Sequence, residues 1–542
     1  MKPLIQKTIG QQLKDTAQKF AEREAMVYSK EGIRYTYEEF YGETGRIAKA
    51  LLAMGIKKGE HIAIWATNIP EWPLLQFASA RIGAVLVTVN TSYQKSELQY
   101  LLQQSDVTSL FLIEGYKGTS YTKIVQDILK ESKGELPELK NIIYIGSSNT
   151  PDGMTAWQEL LIGASYISDE ELLEREKALD QHETINMQYT SGTTGFPKGV
   201  MLSHHNIINN AYLVAQAMNL SSEDRLVIPV PFFHCFGCVM GSLACITAGA
   251  CMLPITEFHP RSVLETIHKE KGTALHGVPT MYIAELMDEQ FDSYDLSSLK
   301  RGIMSGSPCP SEIMKKVMNR MGMQEITIAY GQTEASPVIT QTRIHDSLER
   351  RVGTVGKAQP HAEVKIIDPL TGEESAPNEQ GELCTRGFLV MKGYYKMPEA
   401  THQAIDSEGW LHTGDLASMD EDGYITITGR LKDMIIRGGE NVYPREIEEF
   451  LYSHEDIVDV QVIGVPDEKY GERVAACIKI KEGKEITEEN IREYCKGRIA
   501  FHKIPDYCFI MEEYPMTASG KIQKYKLRQQ AKEWAAEKTA AK

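Results

Sequence analysis

The sequence predicts an α/β fold, with a large N-terminal region of parallel sheets and crossover helices and a small α+β region behind it. Three observations predict it. The 542 residues exceed what one hydrophobic core organises, so two or more domains are expected. Short apolar runs of strand character alternate with helical periodicity from Arg34 onward, the pattern of parallel strands joined by helices. Near Gly429 the character changes, through GRLKDMIIRGGENVYP. The tail that follows, about 110 residues, reads helix, strand, strand, helix, strand and is large enough to fold by itself.

Taken in order, RYTY is a short strand, and the helix after it carries its apolar positions at Phe40, Ile47, Ala48, Leu51 and Leu52. HIAIWAT is the next strand of the same alternation. A helix then covers residues 71–83, with Pro73 tolerated in its first turn, before the strand AVLVTVN. After Ser96 the pattern recurs as helical SELQYLLQQSD and the strand VTSLFLIE. Residues 147–182 are more polar. TINMQYT then enters SGTTGFPKG as a strand, and a helix is expected from Ser203. A strand, glycine-rich loop and helix in succession would aim backbone N–H groups at an anion.

Composition removes several function classes. A net charge of −16 argues against a nucleic-acid footprint and leaves small molecules as the expected partners. The nine cysteines are scattered and odd in number, which fits a reducing compartment better than a disulfide framework. HCFGC, residues 234–238, offers Cys-x-x-Cys beside a histidine but no second ligand pair, so buried small side chains are expected there instead of metal. No export signal is visible at the amino terminus, and a cytoplasmic location is expected. Residues 226–256 lack Asp, Glu, Lys and Arg and are long enough to span a bilayer, but prolines and glycines interrupt them. A buried helix with flanking strands is expected, and no transmembrane segment. A homo-oligomer stays open.

The stretch YTSGTTGFPKGVMLSHHN, residues 189–206, has the small-residue density of a phosphate cradle, yet Lys198 is misplaced for a P-loop. It keeps company with PFFHCFG, SGSPCP, YGQTE, GELCTRG, WLHTGDL, GRLKD and PMTASGKIQK. In this order these segments resemble the adenylate-forming (AMP-binding) family of acyl-CoA synthetases, peptide-synthetase adenylation domains and luciferases. The resemblance runs over nearly the whole chain. It implies a large N-terminal adenylate-forming domain at residues 1–431 and a small mobile C-terminal domain at residues 432–542, hinged at Lys432.

It also implies a reaction, in which a carboxylate attacks the α-phosphate of ATP, releasing pyrophosphate and leaving an acyl adenylate. Thr190, Ser191, Gly192, Thr193, Thr194, Gly195 and Lys198 would hold the β and γ phosphates. Ser305, Gly306, Ser307 and Tyr330 would sandwich adenine, with Gly331 and Gln332 completing that loop and Thr333 meeting the α-phosphate. Asp415 and Arg430 would take the ribose, and Glu334 would ligate Mg2+, for which a hard carboxylate is suited. Lys521 would bring positive charge to the reacting carboxylate and α-phosphate. That step needs no general base, only relief of anionic repulsion. Catalysis thus rests on Lys521, Thr194, Glu334 and Lys198.

The same resemblance implies coenzyme A as cosubstrate beside ATP, with Gly438, Gly439 and Lys503 along its path and thioester formation as the second half-reaction. The chain ends soon after Lys521, which points to a diffusible thiol and not a fused carrier. The acyl slot is expected from His234, Phe236, Gly237, Cys238, Gly241, Val278, Tyr282 and Met304, with the glycines leaving room for an alkyl chain. No aspartate stands there to pair with an ammonium, so amino acids are disfavoured. YPREIEEFLYSHEDIVDVQVIGVPDEKYGE and YPMTASGKIQKYKLR are most similar to medium-chain fatty acyl-CoA synthetases of the family-member-2 type. Coumarate-type aromatic acid ligases are the alternative, and a noncatalytic acyl-lipid binding or sensing protein is the alternative of another class.

Overall fold

The computed structural model describes all residues except 1, 132–135, 137, 147–148, 191–196, 308, 439, 468, 518–521 and 541–542, and the side chains of 440–441 and 536–540. The chain forms two compact units. The first comprises residues 1–352, 356–363 and 385–411, and the second residues 353–355, 364–384 and 412–542.

Two large sheets organise the first unit. In one of eight strands, His61–Trp65, Val85–Thr88, Val107–Leu112, Asn141–Tyr144 and Thr184–Thr190 run parallel. In the other, of nine, the parallel set is Glu24–Tyr28, Cys251–Pro254, Arg225–Ile228, Ala274–Gly277, Arg301–Met304 and Glu325–Gly331. RYTY does not start the parallel alternation expected for it. As Ile33–Thr36 it pairs antiparallel with Glu24–Tyr28 at the edge of the nine-stranded sheet, and the helix Tyr37–Ala53 leads into the other sheet. A local alternation of periods cannot tell a crossover within one sheet from a crossing between two.

Thr8, Thr36, Ser168, Ser203 and Thr487 each open a helix with a capping box, satisfying donors that the first turn leaves over. The helix Glu71–Ile82 is buried at every position but its first, and so carries no amphipathic pattern. Its one buried charge, Arg81, is paired with Glu176 at 2.6 Å and lies 4.1 Å above the Tyr41 ring. Gly83 ends the helix in the left-handed region at φ 73°, where a side chain would be strained. The uncharged stretch 226–256 becomes the buried strand Arg225–Ile228, a buried helical passage and the buried strand Cys251–Pro254. Among the described residues no helix is long and apolar enough to cross a membrane.

In the second unit, Ile457–Asp467 and Gly471–Ile480 form a long antiparallel pair, Tyr507–Ile510 adds in parallel, and the hairpin Ile435–Arg437 with Glu440–Val442 joins at Arg437. The helices Pro444–Tyr452, Glu488–Cys495 and Lys524–Ala540 complete it. The helix, strand, strand, helix, strand order expected of the tail is present. A four-stranded sheet, in the order Ala362–Ile367, Gly381–Gly387, Leu411–Met419, Ile425–Arg430, falls mostly in this unit.

One core residue breaks the rule that buried charge is paired. Glu285, on the helix Pro279–Leu286, is 0% exposed, and neither carboxyl oxygen has a hydrogen-bond partner among the described residues. Burial alone pushes its pKa well above 4.5. The folded chain therefore keeps a proton that the unfolded chain releases above pH 4.5, and stability falls as pH rises from there toward the raised folded value. Glu285→Met removes an unsatisfied group at similar volume. It should raise the melting temperature, in line with the ~1–3 kcal/mol typical of such groups, and by more at pH 8 than at pH 4.5. Thermal melts at the two pH values check this, and an equal or negative shift at pH 8 would refute it.

Candidate active site

The carboxyl ends of parallel strands are where α/β sheets bind ligands, because the loops that follow diverge there. Thr184–Thr190, Arg301–Met304 and Glu325–Gly331 deliver TSGTTG, SGSPCP and GQTE at such ends. After Thr190 the chain does not open directly onto a helix. It returns as the strand Lys198–Ser203, antiparallel to the incoming one, with Thr190 opposite Lys198 and Thr184 opposite Ser203. The helix His204–Ala217 starts at the far end of this hairpin, so its N-terminus cannot serve an anion held beside Thr190 and Lys198, contrary to the strand, loop and helix expectation. Of the groups expected to hold the anion, Thr190 and Lys198 are described, and they face each other at the open end of the hairpin. Ser191, Gly192, Thr193, Thr194 and Gly195 lie outside the described residues.

Lys198 and Glu334 are brought together by a residue that sequence reasoning missed. Tyr394 sits on the short strand Gly393–Tyr394, which pairs with Lys198–Ser203. Its hydroxyl donates to Glu334 Oε1 at 2.8 Å, and Lys198 Nζ lies 4.5 Å from its ring centroid. The Glu334 carbonyl accepts from the Met391 N–H at 2.9 Å, so side chain and backbone of the carboxylate are both fixed by residues 391–394. Oε2 has no partner among the described residues. A hard anionic oxygen fixed on one side and open on the other fits a Mg2+ ligand. Burial, then the Glu334 carboxylate, pushes the Tyr394 phenol up, so it stays a donor. The signal in sequence was GYY after GELCTRG, a tyrosine in a turn that nothing distinguishes from packing.

Gly331 precedes this turn, and a Cβ there would lie 1.9 Å from the Pro337 carbonyl oxygen, so the strand exit admits only glycine. Gln332 donates its backbone N–H to that same oxygen at 2.9 Å, and Thr333 is buried in the turn Thr333–Ala335. Ser305 Oγ donates to the Ala329 carbonyl at 2.6 Å, tying the Ser305–Ser307 loop to the strand that ends at Tyr330 and Gly331. Gly306, at φ 90°, faces Val278 Cγ1, which sets the SGS loop against the HGVP loop.

The residues expected to bind an acyl group gather in the first unit, though the glycines do not open space as expected. A Cβ on Gly237 would meet the Pro231 carbonyl at 2.3 Å, and one on Gly241 would meet Ile228 at 3.1 Å, so neighbours already fill both positions. Cys238–Leu243 is a π-helix, a form seen mostly as short stretches at functional sites, and no residue pattern announced it. The Cys235 and Cys238 thiols both contact the Gln188 amide, at 3.1 and 3.2 Å, and burial first of all pushes both thiols up. They behave as packed small side chains, as expected for HCFGC. His234 caps the turn through the Phe236 N–H, and the Phe236 ring lies 5.4 Å from His276. Tyr282 is fully buried, its hydroxyl donating to Leu275 O at 2.9 Å, and Met304 is buried at the strand end.

In the second unit Asp415 and Arg430 face each other on adjacent antiparallel strands, with Arg430 Nε 3.0 Å from Asp415 Oδ1. The carboxylate is thus held beside a donor. Gly414, at φ 69°, turns the chain just before it. Lys432 lies in the turn Leu431–Asp433, exposed, its amine pushed down by burial of its surroundings and then by Arg430.

A cleft of about 370 Å³ is lined by Arg437, Gly438, Lys469, Tyr470, Arg473, Phe501, His502 and Asp506. Two arginines and a lysine share the cleft with Asp506, and Arg473 pairs with Asp467 as well. Asp506 holds Arg437 at 2.7 Å and Arg473 at 3.3 Å, Arg473 and Lys469 each lie 5.0 Å from the Tyr470 ring, and Phe501 is 82% exposed. Gly438 donates to Tyr470 O at 2.7 Å. Lys503 instead pairs with Glu446. Gly439 and Lys521 lie outside the described residues. The cations at 469 and 473 escaped sequence reasoning because each stands alone in a polar stretch.

The sequence profile of the AMP-binding enzyme family matches residues 13–395, and that of the AMP-binding enzyme C-terminal domain residues 446–521. A protein of Bacillus subtilis (strain 168) that carries the name acyl-CoA synthetase YngI is 60% identical over 538 residues, covering 98% of each chain. The medium-chain acyl-CoA ligase ACSF2, mitochondrial, of Danio rerio is 43% identical, covering 97% of this chain and 89% of its own. Among solved structures, ATP-bound MatB from Rhodopseudomonas palustris superposes with a TM-score of 0.84 at 27% identity, over 97% of this chain and 99% of its own. The anthranilate CoA ligase AuaEII in complex with anthranoyl-AMP gives 0.84 at 26% identity, over 99% of both chains.

Proposed function

The chain belongs to the AMP-binding enzyme family, and from that premise we propose that it is an ATP-dependent fatty acid–CoA ligase that prefers medium-chain acids. The observation that carries the ligase reading is the Lys198–Tyr394–Glu334 contact beyond the sheet ends, a cation and a hard carboxylate held in one place. In the first half-reaction a carboxylate oxygen of the acid bonds to the α-phosphorus, the bond to the bridging oxygen breaks, and pyrophosphate leaves with its charge met by Lys198 and the Thr/Gly loop. Mg2+ held by Glu334 would supply charge neutralisation at the phosphate oxygens. Ser305, Gly306, Ser307 and Tyr330 orient adenine, Thr333 meets the α-phosphate, Asp415 and Arg430 orient the ribose, and Lys521 offsets repulsion between acid and phosphate.

In the second half-reaction the thiol sulfur of coenzyme A bonds to the acyl carbon, its proton passes to solvent, and AMP leaves. Rotation at Lys432 would exchange the Lys521 face of the C-terminal domain for the Gly438 and Gly439 face between the two steps. The cleft at Arg437, Lys469, Arg473, Tyr470 and Phe501 supports an acceptor with a phosphorylated nucleotide, offering fixed cations for phosphate and an exposed ring for a base. All nine cysteines are buried, as small apolar side chains are.

The acyl preference rests on the ACSF2 relatives, named medium-chain ligases, and on the uncharged, buried side chains at Phe236 and Cys238. The AuaEII likeness supports the aromatic alternative. AMP release with ATP, Mg2+ and coenzyme A, measured across straight-chain acids and aromatic acids, separates the two. A maximum at intermediate chain length is expected. A maximum on aromatic acids would replace the reading, and no turnover with any acid would leave a binding protein.

A further inference from the structure

A second cluster of metal-ligating side chains lies outside the residues assigned above. Glu382 and Cys384 are two apart on the strand Gly381–Gly387 and therefore share one face, and His412 stands on the neighbouring strand Leu411–Met419. Their donor atoms all lie within 4.8 Å of one another. His412 Nδ1 is 3.0 Å from Glu382 Oε2 and 3.6 Å from Cys384 Sγ.

We propose that Glu382, Cys384 and His412 form a binding site for a soft divalent cation of the Zn2+ class, distinct from the hard Mg2+ assigned to Glu334. A tetrahedral ion with bonds of about 2.3 Å to sulfur and about 2.0 Å to nitrogen separates those two ligands by about 3.5 Å, which the present spacing already meets. Thiolate and imidazole select Zn2+ over Mg2+. The charges close as well, because one carboxylate and one thiolate balance a divalent ion, so a buried site is left neutral. On binding, the thiol releases its proton to solvent, Nδ1 presents its lone pair with the ring proton on Nε2, and water takes the fourth position.

Glu382 Oε1 accepts the Gly414 N–H at 2.9 Å, which orients the carboxylate from behind as outer partners do in metal sites. Cys384 is buried while the His412 side chain is 31% exposed, giving an ion an entry from the histidine side. An ion here would pin the two strands together next to Asp415, and so would raise thermal stability.

Co2+ is the probe, titrated into the full-length protein after chelator treatment. The expected result is one equivalent bound with a thiolate-to-cobalt charge-transfer band and tetrahedral visible bands, bleached by one equivalent of Zn2+ and unaffected by millimolar Mg2+. Cys384→Ser should abolish the charge-transfer band, and Cys477→Ser, in the core of the same unit, should keep it. His412→Gln, at a half-exposed position that threatens folding little, should weaken Co2+ binding at least tenfold, and Zn2+ should raise the melting temperature of the wild type but not of this variant. No band, a band that survives Cys384→Ser, or unchanged affinity in His412→Gln would overturn the site.

Discussion

Lys521→Ala is expected to reduce acyl-adenylate formation by about 10²-fold or more while leaving thioester formation from supplied acyl adenylate and coenzyme A within a few-fold of wild type. The first half-reaction brings a carboxylate against a polyphosphate, and a unit charge at about 4 Å is worth on the order of 4 kcal/mol at an effective dielectric of 20. Losing about 3 kcal/mol of that in the transition state alone accounts for a factor of about 10². Two of the basic residues that follow Lys521 are otherwise engaged. Lys524 pairs with the buried Glu448 at 2.6 Å and Arg528 with Asp433 at 2.9 Å, so neither is available as a substitute cation. Met516 bridges Ile522 and Gln523 donates to Pro515 O, which fixes both flanks of the segment that carries Lys521. Acid-dependent exchange of pyrophosphate into ATP measures the first step, and thioester from added adenylate the second. Equal loss of both would remove the two-orientation account and its hinge at Lys432.

The contrast between Lys521 and its neighbours shows what a sequence can and cannot convey. As a run of charge, Lys524, Lys526 and Arg528 read as one solvated face, yet two of them are partners of particular carboxylates some 76 and 95 residues away in the chain. Long-range pairing of this kind leaves no local mark. The strands His61–Trp65, Val85–Thr88 and Val107–Leu112 were legible because burial on both faces forces apolar runs. The order of the motifs likewise carried the family. What escaped was set by register: the hairpin that carries Lys198 away from the helix at Ser203, the antiparallel edge strand at Ile33–Thr36, and the filling of Gly237 and Gly241 by their neighbours. Each depends on which chain lies alongside, and periodicity is silent about that.

Tyr394, another contact set by register, lies behind the second large effect. Glu334→Gln should lower ligase turnover by about 10²-fold and raise the Mg2+ concentration needed for half-maximal rate, since an amide keeps the shape but gives up the charge of a hard ligand. Tyr394→Phe is the informative companion. It leaves the carboxylate charged and the ring beneath Lys198 in place, removing only the hydroxyl that donates to Oε1 at 2.8 Å. A hydrogen bond to a charged group contributes about 1.5–3 kcal/mol, so a loss of about 10- to 10²-fold is expected, with the Mg2+ requirement shifted in the same direction as in Glu334→Gln. Binding of Mn2+–ATP, followed by water proton relaxation, gives a readout apart from turnover and should weaken in both variants. Because the phenol stays protonated across the working range, its contribution should not vary between pH 6 and 9. A Tyr394→Phe protein with wild-type metal dependence and lowered thermal stability would make Tyr394 a packing residue, and the carboxylate would then be positioned only through the Glu334 backbone, whose carbonyl accepts from the Met391 N–H.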